Sequence, residues 1–224
     1  MSKMMILRLL LITCMGSIEN SMKNLLILPV TILALIYSVN VFPQYQAGKD
    51  FQKIPNPLPI KKDGKVEVIE VFWYGCPACY SFEPFVNKWK KDLDQDVKFT
   101  KVPIGWNQLH AKLYYTIEAL KLGDTAHSAV FTAIHKEGNR LSSEKSILAF
   151  LSKIGVQEDD AFKQMNSFSV NQKVKRSIEL SRRLKVPAVP IMYVDGKYLV
   201  QIKRSTGEMF KTVDYLINIE KPNS

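Results

Sequence analysis

Cysteine is scarce in this chain of 224 residues, and the sequence contains neither an internal repeat nor a low-complexity tract. Only three cysteines occur, and two of them, Cys76 and Cys79, lie close together. This number excludes a small secreted scaffold held together by several disulfides. The length instead allows one or two domains with a hydrophobic core, and the apolar and charged fractions are ordinary for a globular protein.

Acidic residues are outnumbered, since 21 aspartates and glutamates stand against 31 lysines and arginines and leave a net charge of +10. An excess of positive charge suits acidic surfaces or polyanions. Here the basic residues are scattered instead of forming one run, which favours a solvated basic surface. No nucleic-acid-binding motif is present, so we expect no nucleic-acid partner.

Residues 1–42 are predicted to be a leader, either a signal or an N-terminal anchor. Met22-Lys23-Asn24 precedes an apolar run from Leu25 to Val39, the pattern of a secretory signal. The cleavage pattern after this run is weak and the run is marginally short for a membrane span, so removal and retention both stay open. In either case, we expect the rest of the chain in an oxidising compartment, where a disulfide persists.

Two further features of the leader leave alternatives open. Met22 offers a second start, which would make residues 1–21 surplus. Leu11-Ile12-Thr13-Cys14 loosely resembles a lipoprotein signal, but Thr13 fits poorly before the cysteine. A removed or wrongly assigned leader is therefore favoured over lipidation of Cys14.

The first part of the folded region is predicted to alternate between strand and helix. An extended, proline-rich lead-in at residues 43–65 precedes a strand from Val66 to Tyr74, whose apolar residues at both alternating positions indicate burial on both faces. Gly75 ends this strand, and Pro77 suits the first turn of a helix that continues to about Lys91. A second strand from Val97 to Val102 completes a unit that predicts a parallel pair with a right-handed crossover.

Residues 106–185 are predicted to be an all-helical block. Its helices are expected at Gln108–Leu122, Thr125–Lys136, from the cap Ser143 to Ile154, Glu158–Met165 and Val170–Leu184. After the block, strands at Ile191–Val194 and Lys197–Ile202 flank an Asp195-Gly196 hairpin turn, and a final helix covers Gly207–Ile219. The sequence thus predicts an α/β protein in which the helical block separates two parts, residues 43–105 and 186–224, of one sheet domain.

Cys76 and Cys79 lie where a predicted strand gives way to a helix, and this position gives them a physical reason to react. The free N–H groups and the dipole at a helix start favour a thiolate at Cys76. A thiolate is the attacking species in disulfide exchange. Cys79 lies one turn later and is expected to be less exposed, so we predict Cys76 as the nucleophile and Cys79 as the resolving thiol.

Two other uses of the pair are less favoured. A zinc site needs two further ligands, and the candidates Cys14, His110, His127 and His135 do not have the spacing of a partner pair. A structural bridge would close a tiny loop and constrain little of the unfolded chain. We expect no metal and no other cofactor, and we expect the three histidines to be packing or surface residues of helices.

Two segments resemble the thioredoxin superfamily and, within it, the DsbA family. They are Glu70–Glu83, EVFWYGCPACYSFE, and Val189–Tyr198, VPIMYVDGKY, while Gln44–Lys49 is a weaker match. With the helical block, the likeness extends from about residue 43 to the carboxyl terminus. It implies a thioredoxin fold with an inserted all-helical domain and the activity of a protein disulfide oxidoreductase in the bacterial periplasm.

The resemblance also implies roles for residues beside the cysteines. Val189-Pro190 is implied to be a cis peptide packed against the active-site disulfide, and Val189 to offer backbone hydrogen bonds to a bound polypeptide. Pro77 and Ala78, between the cysteines, are implied to contact the same substrate. Pro187, three residues before Pro190, is expected to be an ordinary loop proline.

Two glutamates are further candidates. Glu70 stands in an otherwise apolar strand, where a carboxylate is costly unless it is paired or protonated. The resemblance implies that Glu70 moves protons to and from Cys79, and the alternative is a glutamate paired with a lysine. Glu83 lies four residues after Cys79 on the same helix face, where it either tunes the local charge or is a solvated helix glutamate.

Position 78 departs from the family pattern, because histidine often occupies this place and here it is Ala78. The change removes a side chain that would favour the reduced, thiolate form. We therefore expect an oxidant that is milder than relatives with histidine at this position.

The favoured function is an oxidase that introduces disulfides into unfolded or reduced secreted polypeptides. A quinone-linked membrane partner of the DsbB type is expected to recharge it. One alternative is an isomerase or reductase of the same fold, but residues 43–65 are too short for the dimerisation domain that such proteins commonly carry, so we expect a monomer. The other is a chaperone without redox activity, which apolar surface near Trp73, Tyr74 and Pro190 would serve.

Overall fold

The computed structural model describes residues 45–59 and 63–221, and the structural statements below concern these residues. The predicted leader, including Cys14, lies outside them. Among the described residues, no helix combines the length and the apolar character that crossing a membrane requires.

Within the described ranges, five strands form one mixed sheet. They are β1 (Gln52–Lys53), β2 (Val66–Phe72), β3 (Val97–Pro103), β4 (Ile191–Val194) and β5 (Tyr198–Gln201). Their order across the sheet is β1-β5-β4-β2-β3. Strands β2 and β3 are parallel, as predicted, and the other neighbouring pairs are antiparallel.

Seven α-helices occur in the part of the chain that the structure describes. They are α1 (Pro77–Trp89), α2 (Gln108–Ala119), α3 (Gly123–His135), α4 (Glu144–Lys153), α5 (Glu158–Met165), α6 (Phe168–Arg183) and α7 (Thr206–Glu220). Helices α2 to α6 all lie between β3 and β4, which confirms the predicted α/β class with a helical insertion. The domain boundaries at residues 105/106 and 185/186 stay a prediction.

Strand β2 is buried on nearly its whole length but ends at Phe72, two residues earlier than predicted. The Trp73 carbonyl accepts a hydrogen bond from the Cys76 N–H at 3.0 Å and closes a turn there. Trp73 and Tyr74 therefore belong to the turn before α1. The Tyr74 side chain is fully buried, so its aromatic character serves packing and not strand formation.

Two helix boundaries differ from the prediction for identifiable reasons. Helix α2 ends at Ala119, three residues early, because Lys121 has a φ of 55° and leaves the helical region. Helix α6 begins at Phe168, two residues early, because the Ser167 hydroxyl accepts a hydrogen bond from the Val170 N–H and caps the helix. The predicted cap of α4, Ser143, is confirmed.

The proline-rich lead-in contains a strand that the sequence analysis did not predict. Residues Gln52 and Lys53 of β1 pair with Leu199 and Tyr198 of β5. Two residues are too few for an alternating pattern, so periodicity cannot reveal such a strand. The buried Phe51 ring, which meets the Tyr198 ring edge-on, holds the lead-in against the sheet.

One buried cluster joins the helical block to the carboxyl end of β2. Phe72, Tyr74 and Cys79 pack there with residues of the inserted helices, among them Leu113 and Phe131. The partly buried Cys76 packs against the same cluster. The cysteine pair is therefore positioned between the sheet and the helical block.

Candidate active site

The cysteine pair occupies the first turn of α1. Cys76 is the residue before the helix and Pro77 is its first residue, while the Cys79 N–H donates a hydrogen bond to Cys76 Sγ at 3.4 Å. Both side chains are free thiols in the structure. Cys76 is partly exposed and only 1% of Cys79 is exposed, which confirms the predicted difference in accessibility.

The surroundings separate the pKa values of the two thiols. At Cys76, the hydrogen bond from the Cys79 thiol is the largest influence, and it lowers the pKa against the opposing effect of burial. The backbone N–H groups of Cys79 and Ala78 and the charge of His135 lower it further, to about 6. Burial and then the neighbouring Cys76 raise the pKa of Cys79 far above its usual range. At neutral pH, the pair therefore consists of a reactive thiolate and an unreactive thiol.

Val189-Pro190 is the one cis peptide bond among the described residues, as the resemblance implies. The Cys76 thiol donates a hydrogen bond to the Val189 carbonyl at 3.4 Å. Pro190 is buried and Val189 is partly exposed, while Pro77 and Ala78 are exposed. The nucleophile, the Val189 backbone and the two residues between the cysteines thus form a surface that an extended chain can reach.

Three charged side chains are buried together beside β2. Glu70 of β2 is in register with Lys101 of β3, and Lys101 Nζ lies 3.7 Å from Glu70 Oε2. The same ammonium group lies 2.6 Å from Glu83 Oε2. No more than 7% of any of the three residues is exposed. The alternative of a solvated Glu83 is therefore wrong, and Glu70 is indeed paired with a lysine.

The two carboxyl groups differ in protonation. Burial raises the pKa of Glu70 to about 7, although the charge of Lys101 acts in the opposite direction. Burial also acts to raise the pKa of Glu83, but the hydrogen bond and charge of His127 and the charge of Lys101 lower it to about 2. At neutral pH, Glu83 is ionised whereas Glu70 is poised to gain or lose a proton, the property that proton transfer requires.

His127 of α3 extends this group into the helical block. Its Nε2 lies 3.1 Å from Lys101 Nζ, and its Nδ1 lies 2.7 Å from the Tyr74 hydroxyl. The same Nε2 lies 3.3 Å from Glu83 Oε2, so it is placed to accept a hydrogen bond from the Lys101 ammonium group or to donate one to the Glu83 carboxylate. Burial lowers the pKa of His127 and favours the neutral ring, so we assign the lasting positive charge beside Glu83 to Lys101.

The residues predicted from the sequence did not include three neighbours of the cysteine turn, Lys101, His127 and His135. Lys101 of β3 lies opposite Glu70 of β2, and two opposite charges in adjacent parallel strands are a signal that could have revealed the pair. His127 and His135 come from α3, and no pattern in the sequence connects that helix to the cysteines. His110 fits its expected packing role, because it is buried and accepts a hydrogen bond from Trp73 Nε1 at 3.1 Å.

A metal site would have to be built from acidic, histidine and cysteine side chains. Among the residues that the structure describes, no group of three or more of them is arranged to hold a metal ion. The Glu70 and Glu83 carboxyl groups lie close together, but both form ion pairs with the ammonium group of Lys101.

Comparison with known proteins gives one consistent family. Residues 87–209 match the model of the DSBA-like thioredoxin domain family. The thiol:disulfide interchange protein DsbA of Pseudomonas aeruginosa is 35% identical over 207 residues, which cover 89% of this chain and 98% of that protein. The DsbA of Burkholderia cepacia is 39% identical over 156 residues, which cover 68% of this chain and 74% of the relative.

A solved structure agrees with these sequence matches. The crystal structure of Pseudomonas aeruginosa DsbA is similar with a TM-score of 0.75 and 36% identity, covering 79% of this chain and 94% of that one. This similarity confirms the thioredoxin-like fold with its helical insertion. The chain belongs to the DSBA-like thioredoxin family of protein disulfide oxidoreductases.

Proposed function

We propose that this protein introduces disulfides into secreted polypeptides in the periplasm, by exchange with a Cys76–Cys79 disulfide. The observation that carries the proposal is the contrast within the pair. Cys76 is accessible and has a pKa of about 6, while Cys79 is buried and has a raised pKa. A thiolate of low pKa is a good leaving group, so its disulfide readily passes to another protein.

The proposed reaction has two exchange steps. A substrate thiolate attacks Cys76 Sγ, forms a mixed disulfide and releases Cys79 as a thiolate, which takes up a proton. A second substrate thiolate attacks the substrate sulfur of the mixed disulfide and releases Cys76 as a thiolate. The substrate loses two electrons and gains a disulfide, and the two electrons remain on the reduced cysteine pair until a quinone-linked membrane partner of the DsbB type accepts them.

The neighbouring residues are given roles within this proposal. Glu70, with its pKa of about 7, exchanges the proton of Cys79. The Val189 backbone, next to the buried Pro190, hydrogen-bonds the substrate chain, and the exposed Pro77 and Ala78 contact it. Glu83 tunes the charge around Lys101. Unfolded or reduced secreted polypeptides are the substrates, and the protein acts as a monomer.

Refolding of a reduced, disulfide-containing protein such as a ribonuclease tests the oxidase function. The oxidised protein should convert substrate thiols to disulfides stoichiometrically, and Cys76→Ser should abolish this activity. Given a substrate that already contains a disulfide, Cys79→Ser should instead accumulate a mixed disulfide, because its Cys76 thiolate attacks the substrate disulfide and the resolving thiol is missing. Undiminished oxidation by Cys76→Ser would contradict the proposal.

Thiol trapping in living cells distinguishes the alternatives. An oxidase keeps Cys76 and Cys79 oxidised at steady state, whereas an isomerase or reductase keeps them reduced. If the protein were a chaperone without redox activity, the wild type and the Cys76→Ser variant would hold unfolded polypeptides equally well. Cysteines found reduced at steady state would overturn the oxidase assignment, as would a wild-type protein that holds unfolded polypeptides but forms no disulfides in them.

A further inference from the structure

His135, the last residue of α3, contacts the active-site turn from the helical block. Its Nε2 lies 2.8 Å from the backbone carbonyl of Tyr74. Its ring stacks on the Tyr80 ring, with centroids 4.9 Å apart and an angle of 8° between the planes. Tyr74 lies two residues before Cys76 and Tyr80 one residue after Cys79, so these contacts bracket the cysteine pair.

The geometry determines which nitrogen of His135 carries a proton. A carbonyl oxygen can only accept, so Nε2 donates the hydrogen bond to Tyr74. Uptake of a second proton at Nδ1 makes the ring cationic without breaking that contact. A histidine held in this way can place a positive charge beside the cysteine turn while it keeps the turn in place.

The two residues between the cysteines supply no positive charge to the Cys76 thiolate. Pro77 and Ala78 carry no titratable group, and Lys101 already forms ion pairs with Glu70 and Glu83. The His135 ring contacts the backbone carbonyl of Tyr74 and the aromatic rings of Tyr80 and Phe131. Just after the end of the helix, Lys136 and Glu137 are exposed.

We propose that His135 is a positioning residue for the thiol chemistry. From the helical block, it supplies a positive charge to the Cys76 thiolate, which the uncharged Ala78 side chain cannot do. The inference rests on the proposed function. The charge of His135 also acts to lower the pKa of Cys76, after the stronger effects of the Cys79 hydrogen bonds and of the Ala78 N–H. A stabilised thiolate favours the reduced protein and makes its disulfide more oxidising.

Two substitutions separate the charge of His135 from its structural contacts. His135→Gln keeps a donor for the Tyr74 carbonyl but cannot become cationic, and His135→Phe keeps an aromatic ring over Tyr80 but loses both properties. We expect both variants to raise the pKa of Cys76 by about 0.5, since partly exposed charges act below the range seen for close pairs. The equilibrium with glutathione should shift about threefold towards the disulfide, because the reduced form loses the same stabilisation.

The pKa of Cys76 is measured by thiolate absorbance against pH, with Cys76→Ser as the blank. Lys136→Gln is the matched control, because it removes an exposed positive charge from the next residue and should leave the titration unchanged. Ala78→His in the His135→Gln background should restore the low pKa. Titration of His135→Gln like wild type, or equal effects of Lys136→Gln and His135→Gln, would overturn the inference.

The same titration distinguishes this inference from the function on which it rests. If Cys76 of the wild-type protein titrates as an ordinary thiol, the proposed function fails. If it titrates near 6 in the wild type and in His135→Gln alike, only the role of His135 fails.

Discussion

At the scale of single residues, Glu70 combines two properties that sequence analysis treated as alternatives. It is paired with Lys101, but at 3.7 Å, and its Oε2 has no hydrogen-bond partner in the described structure. Glu83 takes the shorter contact with the same ammonium group, at 2.6 Å. One lysine therefore compensates one carboxylate well and the other poorly, which leaves Glu70 with the raised pKa.

We predict that Glu70→Gln stabilises the reduced protein at high pH. Because the folded-state pKa of Glu70 is raised from 4.5 to about 7, ionisation costs stability as the pH rises through this interval, and the cost is complete above pH 7. The substitution removes this cost, while Lys101 keeps its ion pair with Glu83. The free energy of unfolding should therefore increase by about 1–2 kcal/mol at pH 8 and hardly change at pH 4. Urea unfolding at the two pH values measures the difference.

Glu67→Gln is the control for this prediction, because Glu67 lies on the same strand with its side chain only partly buried and its partner Lys98 exposed. It should lack the gain at pH 8. A Glu70→Gln variant that is equally stabilised at both pH values, or destabilised at pH 8, would contradict the argument.

At the scale of elements, the sequence predicted which segments are helices and strands more reliably than where they end. β2 and α1 were correctly predicted because apolar residues and Pro77 act locally. The end of α2 at Ala119, just before Lys121, and the strand β1 were not, since a positive φ at lysine and the pairing of two residues depend on tertiary contacts.

The connection after β3 illustrates such a contact and yields a prediction. A Cβ atom on Gly105 would lie 2.8 Å from the Cα atom of Ile178 in α6, so the helix backbone would have to move. We expect Gly105→Ala to destabilise the protein by about 1–3 kcal/mol through overpacking. Thermal or denaturant unfolding measures this loss.

Gly207→Ala in the first turn of α7 is the matched control, because the new methyl group would meet only Ser205 Oγ at 3.9 Å. Alanine also has the higher helix propensity, so this variant should be neutral or slightly more stable. Equal destabilisation by the two substitutions would show that close packing at Gly105 is not the cause.

At the scale of the whole molecule, the candidate site is assembled from four separate parts of the chain. The cysteines and Pro190 could be predicted from local motifs, because each motif carries its own geometry. Lys101 could be predicted only by comparing two strands, since it reaches the site when β3 lies beside β2. His127 and His135 could not be predicted, because they reach the site only when α3 packs on the cysteine turn. The reactive residues were thus predictable and most of the groups that tune them were not.

The stability of the reduced molecule should depend on the ionisation of Cys76. Its folded-state pKa, about 6, lies below the ordinary value of 9, so the thiolate adds stability that is fully present above pH 9 and is lost as the pH falls through 6. We therefore expect the free energy of unfolding of reduced wild-type protein to rise, relative to Cys76→Ser, between pH 6 and pH 9. Urea unfolding under reducing conditions measures both proteins, and a difference that does not change with pH would refute this prediction.

The packing of Phe72 and Tyr74 limits how this architecture can be re-engineered. Both rings come from the sheet and the cysteine turn, yet the inserted helices cover them. A shortened chain without residues 106–185 would present these rings to water and leave Lys101 without His127. Moving the insertion from one relative to another therefore requires that these contact residues are exchanged with it, because the helical block packs only against side chains that fit its own surface.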